Sequence, residues 1–178
     1  MSGFLKKLSI ILFFGFLAFP VSAFCQVDTA WVRRYNGPRD GEDVPVAVAI
    51  DDGGNVYVTG FSQFSDLSSQ YGYVTIKYDR NGNQLWIRQH PGYAQALVLD
   101  SEGNLCVTGL SMGANLDYTT IKYDSQGNEL WIARYNGIGD DWGLEITVDY
   151  KNNIYVTGGS GGINGKHDIA TVEWPRFG

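Results

Sequence analysis

Charge and the usual chemistry of small sites are scarce in this chain. Only 18% of its 178 residues are charged, and 13 Lys and Arg face 19 Asp and Glu, a formal net charge of −6. Without a basic patch or stripe, nucleic acid is excluded as a partner. There are two His, and neither lies in a cluster with Cys or Glu, so no metal site is expected. Two Cys make no disulfide framework. No sustained helical period, heptad pattern or Gly-X-Y repeat runs through the sequence, which excludes coiled coils and collagen. No Gly-x-Ser-x-Gly and no Ser-His-Asp set is discernible. Gly158–Gly162 is rich in Gly but opens no helix and carries no Lys-Ser/Thr, so it is read as a loop rather than a phosphate cradle. Neither a catalytic set nor a cofactor is expected.

Long hydrophobic runs are also missing. The longest, Leu8–Phe19, is too short to span a bilayer comfortably, so no transmembrane span is expected in the mature chain. It follows Lys6 and Lys7 and is broken by Pro20, and Val21-Ser22-Ala23 puts small residues at the −3 and −1 positions of a peptidase site. Residues 1–23 therefore read as a signal peptide cleaved near Ala23. Residues 24–178 become a domain working outside the cytoplasm, in a periplasm or secreted. The rival, an uncleaved anchor, is disfavoured by the same length. Bulky Phe24 before Cys25 does not suit lipid modification of that cysteine.

What is abundant is Gly (23 residues), aromatic side chains, and repetition. Asn55-Val56-Tyr57-Val58-Thr59-Gly60 recurs as Asn104–Gly109 and as Asn153–Gly158, each time 49 residues on. Thr75-Ile76-Lys77-Tyr78-Asp79 recurs at Thr120–Asp124, with a degenerate copy at Thr171–Pro175. Gly82-Asn83-Gln84-Leu85-Trp86 recurs at Gly127–Trp131. Each phrase reads as a strand, rich in β-branched and aromatic residues and alternating between faces. A further strand precedes each set, at Ala47–Ile50, Ala96–Leu99 and Glu145–Val148. Between them lie turns such as Asp51–Asn55, Asp79–Asn83, Asp100–Asn104 and Asp124–Asn128. There Asp bonds the following backbone and Gly supplies positive φ. Four short antiparallel strands about every 49 residues predict an all-β fold of β-propeller-type repeats, with three four-stranded blades at about 42–86, 87–131 and 132–174. Cys106 stands where the other copies carry Tyr57 and Tyr155, and reads as a buried apolar residue.

The combination of Asp-x-x-Gly-Asn-x-Tyr-Val-Thr-Gly, a Lys-Tyr-Asp strand and a Leu-Trp strand resembles bacterial SBBP-type β-propeller repeats over nearly all of residues 28–174. The resemblance implies a propeller fold and an extracytoplasmic bacterial setting, and it implies no reaction. Closed propellers typically have four to eight blades, and three repeats are present. Trp31–Tyr35 matches the fourth strand of a blade although no blade precedes it, and the third copy stops after Trp174. Residues 28–36 are thus an orphan closing strand. They suit a homodimer that completes a six-bladed ring; a fragment of a larger propeller, or a distorted monomer, are the alternatives.

Candidate site residues follow from departures from the repeat. Asp43 and Asp141 stand five residues before Val48 and Ile146, where blade two carries Gly92. A capping role accounts for them most simply. Glu145 replaces Ala47 and Ala96, and with Asp141 it offers a carboxylate pair of the kind glycosidases use. Trp142 replaces Val44 and Tyr93 at a strand entrance, where an indole can stack on a glycan or peptide. The Asp-rich turns lack the alternating ligands and closing Glu of calcium loops, so hairpin closure is their role. The reading is a non-enzymatic, exported binding or scaffold module with Asp43, Asp141, Trp142 and Glu145 at one rim. The alternatives are a carbohydrate-active enzyme using those acids, or a truncated fragment.

Overall fold

Each hydrophobic phrase of the repeat becomes a strand, and each Asp–Gly–Asn phrase a turn. The computed structural model describes residues 28–63, 71–113, 115–163 and 165–176. The leader and Cys25 lie outside these residues. Among the described residues there are eleven strands, all antiparallel, and no helix. The first sheet is β1 (Asp43–Ile50), β2 (Val56–Gln63), β3 (Tyr71–Tyr78) and β4 (Gln84–Pro91), in that spatial order. The second repeats the order with β5 (Tyr93–Leu99), β6 (Leu105–Met112), β7 (Leu116–Tyr123) and β8 (Glu129–Tyr135). The third has β9 (Asp141–Val148), β10 (Ile154–Gly161) and β11 (His167–Trp174). Among the described residues no sheet closes on itself.

One expectation is corrected here. Among the described residues the third unit has three strands rather than four, and β11 pairs only with β10. Trp86 lies within β4 and Trp131 within β8. The orphan segment, residues 28–36, joins no ladder.

The turns explain the Asp–Gly–Asn spacing. Asp100 accepts the backbone N–H groups of Glu102 and Asn104 and the Asn104 side-chain amide, all at 2.9 Å, and Asp79, Asp124 and Asp149 do the same in their turns. At Asp79 the bonds from Asn83 hold the carboxyl below its usual range. At Asp51, Asp124 and Asp149 similar bonds outweigh the opposing effect of burial.

The sheets pack face to face in chain order, and two hydrophobic clusters fill the joints. Between the first and second sheets lie Tyr57, Tyr73, Trp86, Leu105, Val107, Ile121 and Tyr123. Between the second and third lie Cys106, Tyr118, Ile154 and Val156, with Trp131 and Trp174 packed against them. Burial pushes the Cys106 thiol up to about 12, which leaves it an inert packing residue at neutral pH. Each joint is also tied by polar contacts. Lys77 Nζ donates to Ser125 O at 3.0 Å and Trp86 Nε1 to the same oxygen at 3.2 Å, while Arg88 Nε donates to Gly127 O at 2.5 Å. The Tyr73 hydroxyl donates to Thr119 O, and the Tyr118 hydroxyl to Ala170 O, both at 3.2 Å.

Candidate functional site

The four singled-out residues cluster in the chain near the starts of β1 and β9, and the registers show why those positions are related. Asp43 is paired directly with Ser62, and Asp141 with Ser160. In the second sheet the ladder opens at Tyr93–Leu110, so Gly92 takes the place of the carboxylate. Asp43 accepts the Gly37 backbone N–H at 3.0 Å, and Asp141 accepts that of Gly137. Both belong to a repeated Tyr-Asn-Gly phrase, residues 35–37 and 135–137, whose chain folds over the carboxylate. Asp141 is fully buried. The second carboxylate oxygen of each, Asp43 Oδ1 and Asp141 Oδ1, is buried without a hydrogen-bond partner, as is Ser62 Oγ. Both acids are therefore held by backbone; Asp141 is shut away from the surface, whereas Asp43 is half-buried. The partners Gly37, Gly137, Ser62 and Ser160 were not singled out from sequence; the doubled Tyr-Asn-Gly phrase could have pointed to the two glycines.

Glu145 is exposed and pairs with Thr157, just as Ala47 pairs with Thr59 and Ala96 with Thr108. Between Asp141 and Glu145 the ladder shifts, because Gly143 pairs with Gly158 and Glu145 with the adjacent Thr157. Leu144 is the extra residue of a bulge, and a one-residue bulge reverses the alternation of side chains. Asp141 and Glu145 consequently lie on opposite faces of the sheet. Without the bulge, four residues of strand would have put them on the same face. The carboxylate pair that the alternative, enzymatic reading would use does not form.

Trp142 pairs with Gly159 across the β9–β10 ladder. Its indole lies on that glycine so closely that a Cβ there would stand 2.6 Å from the ring. The His167 ring, exposed at the start of β11, meets the indole edge-on at 4.6 Å. Trp142 itself is half-buried. At the matching ends of the first two sheets, three more half-buried aromatics pack together. Phe61 and Tyr93 have ring centroids 5.1 Å apart, Tyr71 and Tyr93 5.2 Å, and Phe61 and Tyr71 5.7 Å. The Tyr71 hydroxyl reaches Glu42 Oε2 at 3.4 Å. Phe61 and Tyr71 escaped the sequence reading because they lie outside the repeated phrases.

Among the described residues no group of three or more His, Cys, Asp and Glu could hold a metal ion. A pocket of about 260 Å³ opens on the first sheet, bounded by Trp31, Tyr35, Asp43, Val58, Ile76 and Tyr78. Among the described residues no helix is long and apolar enough to cross a membrane. Comparison with protein-family models and with curated proteins gives no match.

Proposed function

We propose that the chain is an exported β-propeller-type repeat protein of the SBBP kind, acting without catalysis as a binding or scaffold module. The repeat phrases and the recurring four-strand order support the propeller reading. The leader pattern of residues 1–23 supports export. The observation that carries the binding role is the half-exposed aromatic rim, with Trp142 laid on Gly159 beside exposed His167, and Phe61, Tyr71 and Tyr93 at the matching strand ends. Rigid aromatic surfaces at strand ends suit ligands that offer a flat apolar face, such as the C–H face of a glycan's sugar ring or the aromatic side chain of a peptide. The neighbouring acids argue against acid–base chemistry, since Asp43 and Asp141 are bound to backbone and Glu145 faces the other way. Tryptophan fluorescence titrated against panels of oligosaccharides and peptides tests the reading. Binding by one class, lost in W142A with folding intact, is the expected result. A W142A variant that binds as tightly as the natural chain overturns the role of this rim.

A further inference from the structure

Each joint between sheets is built from two unlike faces. The leading face presents Tyr57, Lys77 and Trp86 in the first sheet, and Cys106, Lys122 and Trp131 in the second. The receiving face presents Leu97 and Leu99 in the second sheet, and Ile146 and Val148 in the third, all packed into a joint. One face of each kind is left open. On the first sheet Val48 and Ile50, the counterparts of Leu97 and Leu99, are 65% and 64% exposed. On the third, Ile169 stands where the buried Tyr73 and Tyr118 stand and is 88% exposed.

The segment Trp31–Tyr35 already sits on the open receiving face as a fourth strand of a preceding sheet would. Trp31 Nε1 donates to Arg80 O at 3.3 Å and Arg33 Nε to Gly82 O at 2.6 Å, repeating the contacts of Trp86 and Arg88 with Ser125 and Gly127. The Trp31 and Trp86 rings lie equally close over Gly82 and Gly127, each of which has φ near +79°. What the segment lacks is a third strand to pair with, and β11 has an unpaired outer edge among the described residues. In the single chain the two do not meet in a ladder.

The charged groups at this unmade joint differ from those at the internal one. Lys77 of β3 meets the turn at Ser125. In β11 the position of Lys77 is held by Glu173, which pairs with Tyr155 as Lys77 does with Tyr57. In the first sheet's turn the position of Ser125 is held by Arg80, which is exposed. A carboxylate cannot replace an ammonium beside a carbonyl oxygen, but it can bond a guanidinium there. The lost contact is that of the tyrosine hydroxyl, since Ile169 has no donor.

We infer that β11 of one chain pairs with Trp31–Tyr35 of a second copy, Glu173 opposite Trp31 and against Arg80 of that copy. The β3–β4 and β7–β8 registers fix the rest: Val172 opposite Val32 and Thr171 opposite Arg33. Two copies joined at both ends hide every open face. The number two rests on the propeller reading above, because six is the only multiple of three among typical blade counts; the joint does not.

The natural chain, weighed by light scattering after size exclusion, is expected at twice the chain mass. E173R and R80E each place like charges at both joints, and each alone should weaken association at least about tenfold. Mixed in equal amounts, the two variants restore opposite charges at both joints and should recover the dimer. Circular dichroism and thermal melting of each variant verify folding. As a second readout, a chain carrying V32C mixed with one carrying V172C should give a disulfide-linked species of doubled mass under denaturing conditions. A natural chain that stays monomeric overturns the inference. So does a dimer indifferent to both charge variants, since association would then use another face. Folded variants that fail to recover on mixing also overturn it. None of these readouts depends on ligand binding, so failure of the rim to bind leaves them unchanged.

Discussion

Lys122 and Asp100 form an ion pair of 2.9 Å with both side chains almost wholly inaccessible. Removing one partner of such a pair leaves a buried charge unmatched, which costs more than the pair contributes. K122M should therefore destabilise the chain by about 3 kcal/mol, measured by urea denaturation, while the pH behaviour depends on the turn acids. Asp51, Asp79, Asp124 and Asp149 titrate below their ordinary value of 3.8 in the folded chain. Their contribution is fully present above the unfolded value and is lost as pH falls through the lower folded ones. The melting temperature should hold steady down to about pH 4 and then fall; a melting temperature unchanged down to pH 2 would refute this account of the turns. The Asp–Gly–Asn chemistry was legible in the sequence because it is local. The burial of Asp141 was not, because it depends on Tyr-Asn-Gly folding over a strand end.

At the level of the strand, the turns separate backbone strain from packing. Gly103 and Gly127 have almost the same φ, +78° and +79°, but nothing lies within 4 Å of a Cβ at Gly103, whereas the Trp86 ring lies 2.8 Å from one at Gly127. G103A should cost about 1 kcal/mol, the penalty of a left-handed conformation. G127A should cost at least about 1 kcal/mol more, because the indole must move. Equal losses for the two variants, compared by chemical denaturation, would mean that the Trp–Gly contact contributes nothing. Strand identity was readable from alternation and repetition, and the order of strands followed. The bulges at Val46, Gln95 and Leu144 were not readable, since each depends on how two strands align. That is why Asp141 and Glu145 looked like partners in the sequence and lie on opposite faces in the fold.

For the whole molecule, the repeat foretold an all-β fold, and the structure adds a third sheet of three strands and how one sheet seats the next. If chains associate through the open faces, folding and association are linked, and the melting temperature should rise with protein concentration. A melting temperature independent of concentration, alongside a monomeric mass, would leave Val48, Ile50 and Ile169 as surface residues. Sequence comparison within the chain could have found the Lys77-to-Glu173 and Ser125-to-Arg80 exchange. Its meaning depended on knowing that Lys77 reaches the next sheet's turn.

Trp31 is held on Arg80 and Gly82 by its own chain, before any partner arrives. A free tail would have to be straightened at the moment of encounter, and that loss of freedom would slow association and weaken the result. Here the straightening belongs to folding. Two such chains would meet as finished surfaces, at a rate governed by diffusion and by the charges at residues 80 and 173, and salt would slow them without changing either partner's shape.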